Sequence, residues 1–338
     1  MFDPFKKILL AAMIGATSLS ASCSDLCSGW DVGADFLWWK TCENNADFAV
    51  LFDHNPFLSN TTASGNFIDL KHDWAPGYRV YAEKKSLFCN LNLYGSYTHF
   101  QADDSGSIST LGGFLFSTLS DAGFNDFAPG TINTVKARHK LRYQTFDVLL
   151  SYDCCLCNAQ LFSPFFGIEG LKLNESWHST ILGTLSGQPG EETINWCSNY
   201  EAIGLKVGAQ YEYALSCGLN LFAIGSLSLL AGSDSSRNCQ VTSTLDSQLQ
   251  NPVSLAENFK ENECLCQPGA HIAFGFSYNK CVCGKTVGVR IGYEFTDWWN
   301  VPTIRHFNAA GEATGISTSS AGSNLVLHGL FAGLDVGF

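Results

Sequence analysis

Charged side chains are scarce in this sequence: Lys, Arg, Asp and Glu together make up 15% of its 338 residues. Beyond the N-terminal segment it also lacks any run of about 18 apolar residues, the length that a transmembrane helix needs. Basic clusters are missing and the net charge is −12, which excludes nucleic acid as a partner. What remains is 13% aromatic residues and 32 glycines, a composition typical of strands that bury one face in lipid.

The first 22 residues have the features of a secretory signal peptide. Lys6 and Lys7 supply positive charge, Ile8–Ile14 forms an apolar core, and Ser20-Ala21-Ser22 places small residues before a cleavage site at Cys23. The core is too short to span a bilayer. A cut before Cys23 would also suit a lipoprotein, although Ser20 stands where such signals usually have leucine. We therefore predict a signal peptide over residues 1–22 and one domain over 23–338.

Apolar and polar residues alternate with a period of two through the mature chain. Between Ile203 and Tyr213 the odd-numbered residues are apolar, whereas the even-numbered ones are glycine, Lys206, Gln210 and Glu212. Successive side chains of a strand point to opposite faces. A soluble β-sandwich alternates too, but its polar face carries many Lys, Glu and Thr. Glycine and small polar residues suit a crowded barrel interior, so the pattern predicts an all-β fold, a transmembrane antiparallel β-barrel.

About ten strands are predicted, covering residues 30–40, 76–84, 87–100, 136–153, 160–177, 198–213, 217–231, 268–279, 285–298 and 323–338. Long connections cover residues 41–75, 101–135, 178–197, 232–267 and 299–322. Short periplasmic turns that alternate with long extracellular loops are typical of outer-membrane barrels. A twelve-strand alternative adds Ala46–Phe52 and Phe67–Lys71.

Aromatic residues mark the C-terminus and the predicted membrane interfaces. Phe338 ends the chain and shares a face with Val326, Leu330, Leu334 and Val336. A terminal aromatic in this register is what the barrel-assembly machinery recognises, so Phe338 is the predicted assembly signal. Tryptophans at loop ends predict an interfacial girdle, with ordinary packing of loop aromatics as the alternative. Seven of the eight lie there: Trp38, Trp39, Trp74, Trp177, Trp196, Trp298 and Trp299.

Cysteine is unusually frequent, with 14 residues. Export to an oxidising compartment favours disulfides, and the tight pairs are Cys-x-Cys rather than the Cys-x-x-Cys of structural zinc sites, so no metal site is predicted. Different turns around a rim are often farther apart than the roughly 7 Å between Cα atoms that a disulfide allows. Bonds to other barrels or to periplasmic cysteine-rich proteins are therefore predicted, with local pairing within each turn as the alternative. The nine candidates at the periplasmic end are Cys23, Cys27, Cys89, Cys154, Cys155, Cys157, Cys217, Cys281 and Cys283.

Four stretches carry a family resemblance: ADFLWWK at 34–40, WAPGYRV at 74–80, NLYGSYTHF at 92–100 and PFFGI at 164–168. In order and spacing they resemble the Legionella major outer membrane protein-like family of pore-forming proteins, which also occurs in Chlamydia-like bacteria. The resemblance covers the mature chain. It implies a porin of the bacterial outer membrane, surrounded by outer-membrane lipid, with no cofactor and no catalytic residues to carry over. The cysteine content resembles chlamydial envelope proteins that are cross-linked by disulfides.

Inward-pointing polar residues are the candidates for function. Opposed charges would create a field across a pore, and the alternative is a salt-bridge network that plugs the barrel; the resemblance favours an open lumen. The apolar stretch 111–116 in the loop 101–135 is expected to fold inward and narrow the pore, or else to cap the outer rim. The acidic residues expected near its mouth are Asp103, Asp104, Asp121 and Asp126. The eight predicted pore-lining residues are Asp147, Glu169, Lys206, Gln210, Glu212, His271, Arg290 and Glu294.

Catalysis is the remaining class of function. The available pairs are His72 with Asp73, His99 with Asp103, and His139 with Asp147, and no recognisable motif surrounds them. We therefore predict a non-catalytic porin for passive diffusion of small hydrophilic solutes. The alternative is a structural or adhesin-like barrel with surface-binding loops and little conductance.

Overall fold

The computed structural model describes residues 29–43, 46–55, 64–88, 90–110, 113–119, 130–157, 159–185, 187–216, 218–244, 254–282, 284–302, 306–308, 317–319 and 323–338. Every regular element in this part of the chain is a β-strand. Within it, no helix is long and apolar enough to cross a membrane. The strands are β1 (Trp30–Glu43), β2 (Asp47–Phe52), β3 (Gly65–Asp69), β4 (Trp74–Phe88), β5 (Leu91–Ser109), β6 (Phe114–Ser117), β7 (Ile132–Tyr152), β8 (Cys154–Cys157), β9 (Gln160–Leu185), β10 (Gln188–Ser216), β11 (Leu219–Thr244), β12 (Ser254–Val282), β13 (Lys285–Val301), β14 (His306–Asn308), β15 (Ser317–Ser319) and β16 (Ser323–Gly337).

Ten antiparallel strands close into a ring, which confirms the predicted barrel and its strand number. The order around the ring is β1-β4-β5-β7-β9-β10-β11-β12-β13-β16, and β16 pairs with β1 again. The short β8 lies beside β9 and is the eleventh strand of this sheet. Tight turns at the short-loop end place Asn90, Gly218 and Gly284 at positive φ, which glycine and asparagine adopt most readily. Short turns of outer-membrane barrels face the periplasm, which orients the barrel.

The twelve-strand alternative is wrong. The segments proposed for it do pair with each other, since β2 and β3 are antiparallel neighbours. Their sheet is separate from the ring, however, and its third strand is β6.

The strands are longer at their outer ends than the sequence predicts. β9 to β12 have between 26 and 29 residues each, although about 9–11 residues cross a bilayer. The predicted long loop 178–197 is almost entirely β9 and β10, and much of 232–267 belongs to β11 and β12. Beyond the lipid, most outward residues are polar, so the alternation fades while the backbone ladder continues.

An apolar belt surrounds the inner half of the barrel. Leu205, Leu227, Ile291 and Leu334 point outward and are each more than half exposed. Their inward neighbours, such as Lys206 and Arg290, are largely buried. The predicted alternation therefore separates a lipid-facing surface from a polar interior.

Four of the tryptophans assigned to the girdle lie inside the barrel instead. Trp39, Trp177, Trp196 and Trp298 are at most 3% exposed, whereas Trp38 and Trp74 do face outward at 40% and 41%. Neighbours in a strand point to opposite faces, so position at a loop end could not fix which indole faces lipid.

Substitution of Val207 by Arg tests the lipid-facing assignment, because Val207 is 58% exposed and lies midway along β10 between water-facing Glu201 and Tyr213. An arginine near the bilayer midplane costs about 2–4 kcal/mol, but only about 0–1 kcal/mol near an interface. Leu221→Arg is the matched control, because Leu221 also points outward but lies opposite Tyr213 near the periplasmic end of β11. We expect Val207→Arg to lower the free energy of unfolding in lipid vesicles by at least about 2 kcal/mol more than Leu221→Arg. Equal losses would contradict the belt.

Candidate functional site

All eight predicted pore-lining residues point into the barrel. Seven of them border a central cavity of about 340 Å³, and Glu294 lies behind its wall. The cavity runs from Asp31 and Asp335 at the periplasmic end to Trp39 and Trp298 halfway along the barrel. The structure places these side chains together, and their role in a pore stays a prediction.

One wall of the cavity holds two arginines between two buried carboxylates. Arg290 donates to both oxygens of Asp35, from Nε at 2.8 Å and from Nη2 at 2.7 Å. Arg79 donates to Glu294 at 2.8 Å and to Asp35 at 3.3 Å. Asp35 and Arg79 were missed as site residues. Their outward neighbours are apolar, so the alternation in β1 and β4 could have revealed them.

The facing wall has a second ion-pair cluster. Lys206 Nζ lies 3.1 Å from Asp147 Oδ1 and 3.0 Å from Glu169 Oε1, and the Ser228 hydroxyl also donates to Glu169. Lys206 is 11% exposed and Glu169 is 4% exposed. Opposite charges are thus paired within each wall, as the salt-bridge alternative predicts, and Lys206 is a single cation between two carboxylates. The charges do not form separate positive and negative walls.

A layer of large side chains closes the cavity on its outer side. Trp298 Nε1 donates to the Tyr143 hydroxyl at 3.2 Å, and this bond joins β13 to β7, which lie on opposite sides of the ring. The Trp39 ring packs 5.5 Å from Phe100 and 6.2 Å from Tyr143, centre to centre. We call Trp39, Phe100, Tyr143, Tyr200 and Trp298 the aromatic layer; all are at most 3% exposed. The lumen is therefore bridged from wall to wall.

The small sheet of β2, β3 and β6 adds a second closure above this layer. Leu115 of β6 is fully buried and shares a cluster with Val135, Trp177 and Trp196, which point into the outer barrel. The predicted inward fold of this loop therefore holds for residues 114–116, while 111–112, Asp121 and Asp126 lie outside the described residues. Asp104 is buried, whereas Asp103 is exposed and pairs with Arg138 at 2.6 Å.

In the structure, the three histidines form hydrogen bonds with residues other than the aspartates with which the sequence analysis paired them. His72 bonds Asp104 at 2.8 Å, His139 bonds Glu175 at 3.0 Å, and His99 contacts Gln144 at 3.2 Å. The partners of His72 and His139 lie on other strands, β5 and β9. Spacing along the chain could not show these contacts.

Four of the nine candidate cysteines are described. Cys154, Cys157 and Cys281 are free thiols beside the short turns, and Cys155 is disulfide-bonded. Cys23, Cys27, Cys89, Cys217 and Cys283 lie outside the described residues. The other described free thiols belong to the outer half: Cys42, Cys197, Cys239, Cys264 and Cys266.

Phe338 lies at the seam where the two ends of the ring meet. Its N–H donates to the Trp30 carbonyl at 2.9 Å, and the Trp30 N–H donates back at 2.8 Å. The side chain is 62% exposed on the outer face, among the apolar residues predicted to share that face. Recognition by the assembly machinery stays a prediction.

The comparisons with known proteins identify one family. The family model of the Legionella pneumophila major outer membrane protein precursor matches residues 22–338. No curated protein matches the chain. Among solved structures, the outer membrane protease OmpT from Escherichia coli is 12% identical, with a TM-score of 0.45 and coverage of 96% of this chain and 99% of that one. The attachment invasion locus protein Ail of Yersinia pestis is 7% identical, with a TM-score of 0.26 and coverage of 92% and 99%. These identities are too low to transfer an activity.

Replacement of Lys206 by Met tests the buried ion-pair cluster. It leaves Asp147 and Glu169 without their cation, and removal of one partner from a buried pair costs about 3–5 kcal/mol. Lys85→Met is the control, because the pair of Lys85 with Asp31 is 38% and 22% exposed and such pairs contribute roughly 0–1 kcal/mol. Urea unfolding of the refolded variants should show the larger loss for Lys206→Met. A smaller loss there than for Lys85→Met would argue against the cluster.

Proposed function

The chain belongs to the family of the Legionella major outer membrane protein and is a β-barrel of the bacterial outer membrane, and we propose that it is a gated porin. In this proposal, small hydrophilic solutes diffuse through the barrel without catalysis. The cavity forms the inner part of the path, and the aromatic layer is the gate.

The unfilled polar cavity is the observation that carries this proposal. A small barrel with a purely structural role fills its interior with side chains. Here the membrane half contains about 340 Å³ of space, bordered by ionisable and hydroxyl groups. Such a space suits water and hydrated solutes rather than apolar ligands.

The groups around the cavity favour cations over anions. Seven carboxyl groups border it against four Lys and Arg side chains. Local pairing uses all four cations, so the excess is acidic. The carboxyl groups are those of Asp31, Glu83, Asp147, Asp153, Glu169, Glu212 and Asp335, and the cations are Arg79, Lys85, Lys206 and Arg290.

Shortening a side chain of the aromatic layer tests whether this layer limits conduction through the barrel. Trp39→Ala should raise single-channel conductance in planar bilayers several-fold above the low wild-type level, with cations favoured over anions. Trp38→Ala is the matched control, because the neighbouring indole points outward and is 40% exposed. Loss of a buried tryptophan costs about 3–5 kcal/mol, so heat-modifiable migration must first show a folded barrel.

Tyr143→Phe provides a milder variant of the same experiment. It removes the hydroxyl that accepts from Trp298 with little change in volume, and should raise the open probability without unfolding the barrel. Because the sheet of β2, β3 and β6 is a second closure, both variants are also made with residues 114–117 of β6 deleted. If wild-type protein and all of these variants fail to conduct, the porin proposal is wrong.

A structural or adhesin-like barrel is the second candidate. This candidate is favoured by the presence of two closures, the aromatic layer and, above it, the sheet of β2, β3 and β6. Both would have to move before solute could pass. Absence of conductance in every gate variant is the result that this candidate predicts.

We further propose that the periplasmic thiols link the barrel to other envelope proteins. Cys157 and Cys281 are exposed and Cys154 is partly exposed, and all three are free. Thiols exported to an oxidising compartment form disulfides with accessible partners. Neighbouring barrels and periplasmic cysteine-rich proteins are the proposed partners.

Serine substitution tests this link on non-reducing gels of intact envelopes. Replacement of Cys154, Cys157 and Cys281 together should remove most reductant-sensitive high-mass species. Replacement of Cys197, Cys264 and Cys266, which are exposed thiols of the outer half, should leave them in place. Wild-type protein that migrates as a monomer without reductant would exclude cross-linking and leave the barrel assignment intact.

A further inference from the structure

Three potential metal ligands meet inside the outer half of the barrel, away from the cavity. Glu43 ends β1, His72 lies between β3 and β4, and His139 belongs to β7. One ligand atom from each residue lies within 4.8 Å of those of the other two. The side chains of His72 and His139 are 5% and 0% exposed, and that of Glu43 is 9% exposed.

Each of these side chains has a buried polar atom without a hydrogen-bond partner. Among the described residues, the unpartnered atoms include Glu43 Oε1, His72 Nε2 and His139 Nδ1. A buried polar atom left unpaired costs about 1–3 kcal/mol. Three such atoms in one cluster are a strong sign that the cluster binds something polar.

Neighbouring carboxylates orient both imidazole rings. His72 Nδ1 donates to Asp104 Oδ2 at 2.8 Å, and Asp104 Oδ1 is held by the Asp73 N–H at 2.9 Å. With the proton on Nδ1, the lone pair of a neutral ring is on Nε2, the unpartnered atom. In metal sites, a hydrogen bond from one ring nitrogen of a histidine to a carboxylate fixes the tautomer in which the other nitrogen binds the metal.

His139 is oriented in the same way by a carboxylate on β9, the next strand of the ring. Its Nε2 lies 3.0 Å from Glu175 Oε1, which also accepts from Trp177 Nε1 at 3.1 Å. The imidazole stacks on the Trp177 ring at 4.5 Å between centres. Both histidines are thus fixed before any ion binds.

We propose that Glu43, His72 and His139 form a binding site for a divalent transition-metal ion, with Zn²⁺ as its probe. Two imidazoles and one carboxylate with an open fourth position are a known ligand set for zinc. Because ligand atoms of a tetrahedral zinc site are about 3.3 Å apart, binding would draw the groups closer. The ion would link the end of β1 and the segment before β4 to β7. This link would hold the sheet of β2, β3 and β6 inside the barrel.

A simple ion-pair cluster is the competing explanation. In that case His139 is an imidazolium held by Glu43, 3.9 Å away, and by Glu175. Such a cluster needs no ion, and added zinc would bind only at surface histidines or thiols. The two explanations differ in stoichiometry, ligand type and response to substitution.

Metal content and titration calorimetry on the refolded full chain separate them. After treatment with chelator, we expect one Zn²⁺ per barrel and a higher temperature of unfolding. Glu43→Gln and His72→Gln should each weaken binding at least about 10-fold, and Asp104→Asn, which alters the carboxylate that orients His72, by about 10- to 100-fold. His178→Gln is the control, because His178 is exposed and bonds Asn195.

Co²⁺ provides a readout on the wild-type protein that does not depend on how variants fold. Binding at this site gives the visible absorption of a tetrahedral ion without the near-ultraviolet band of a cobalt–thiolate bond. A thiolate band would assign the ion to the free cysteines and overturn the proposal. So would the absence of stoichiometric binding, or equal affinity in Glu43→Gln, Asp104→Asn and His178→Gln.

Discussion

Hydrogen bonding of the backbone in lipid is the constraint on which the rest of this structure depends. A bilayer offers no partner for an exposed N–H or carbonyl group, so strands can cross it only if the sheet has no free edge. Here the seam between β1 and β16 removes the last edge, with thirteen paired positions from Asp31 to Glu43. The terminal Phe338 extends this ladder by a reciprocal pair of bonds to Trp30. Closure fixes which face of every strand meets lipid.

Once the ring is closed, the membrane-spanning part of each strand is readable from the sequence. The alternation around Leu205 and Lys206 identified both the strand and its two faces, and all ten strands were found. The outer extensions of β9 to β12 were missed because residues such as His178 and Ser233 face water there, so the outward face loses its apolar pattern. Trp39 and Trp298 were misplaced for a related reason. Their position along the strand was right, but one residue of register decides between lipid and interior.

The contacts that define the candidate sites depend on strands that are distant in the chain. Arg290 reaches Asp35, and Arg79 reaches Glu294, across 255 and 215 positions. Alternation could show that Arg290 and Glu294 point inward, but only the ring order shows which charge each of them meets. The same holds for Glu43, His72 and His139, whose spacing matches no metal motif. The expectation that no metal binds rested on the spacing of cysteines and histidines along the chain, which does not show this cluster.

Where the outer surface of the barrel changes from apolar to polar, the interior changes from polar to apolar. In the membrane half, burial of outward apolar residues in lipid supports the fold, so the inward face can be polar and leave a cavity. Above the belt, Arg138 and Lys140 face water, and a barrel wall surrounded by water on its outside needs an apolar core within. The aromatic layer and the cluster around Trp177 and Trp196 form that core. A gate built from Trp39 and Trp298 therefore also stabilises the outer barrel. Opening it exposes core residues, so a channel of this design would conduct rarely, or only after the outer half rearranges.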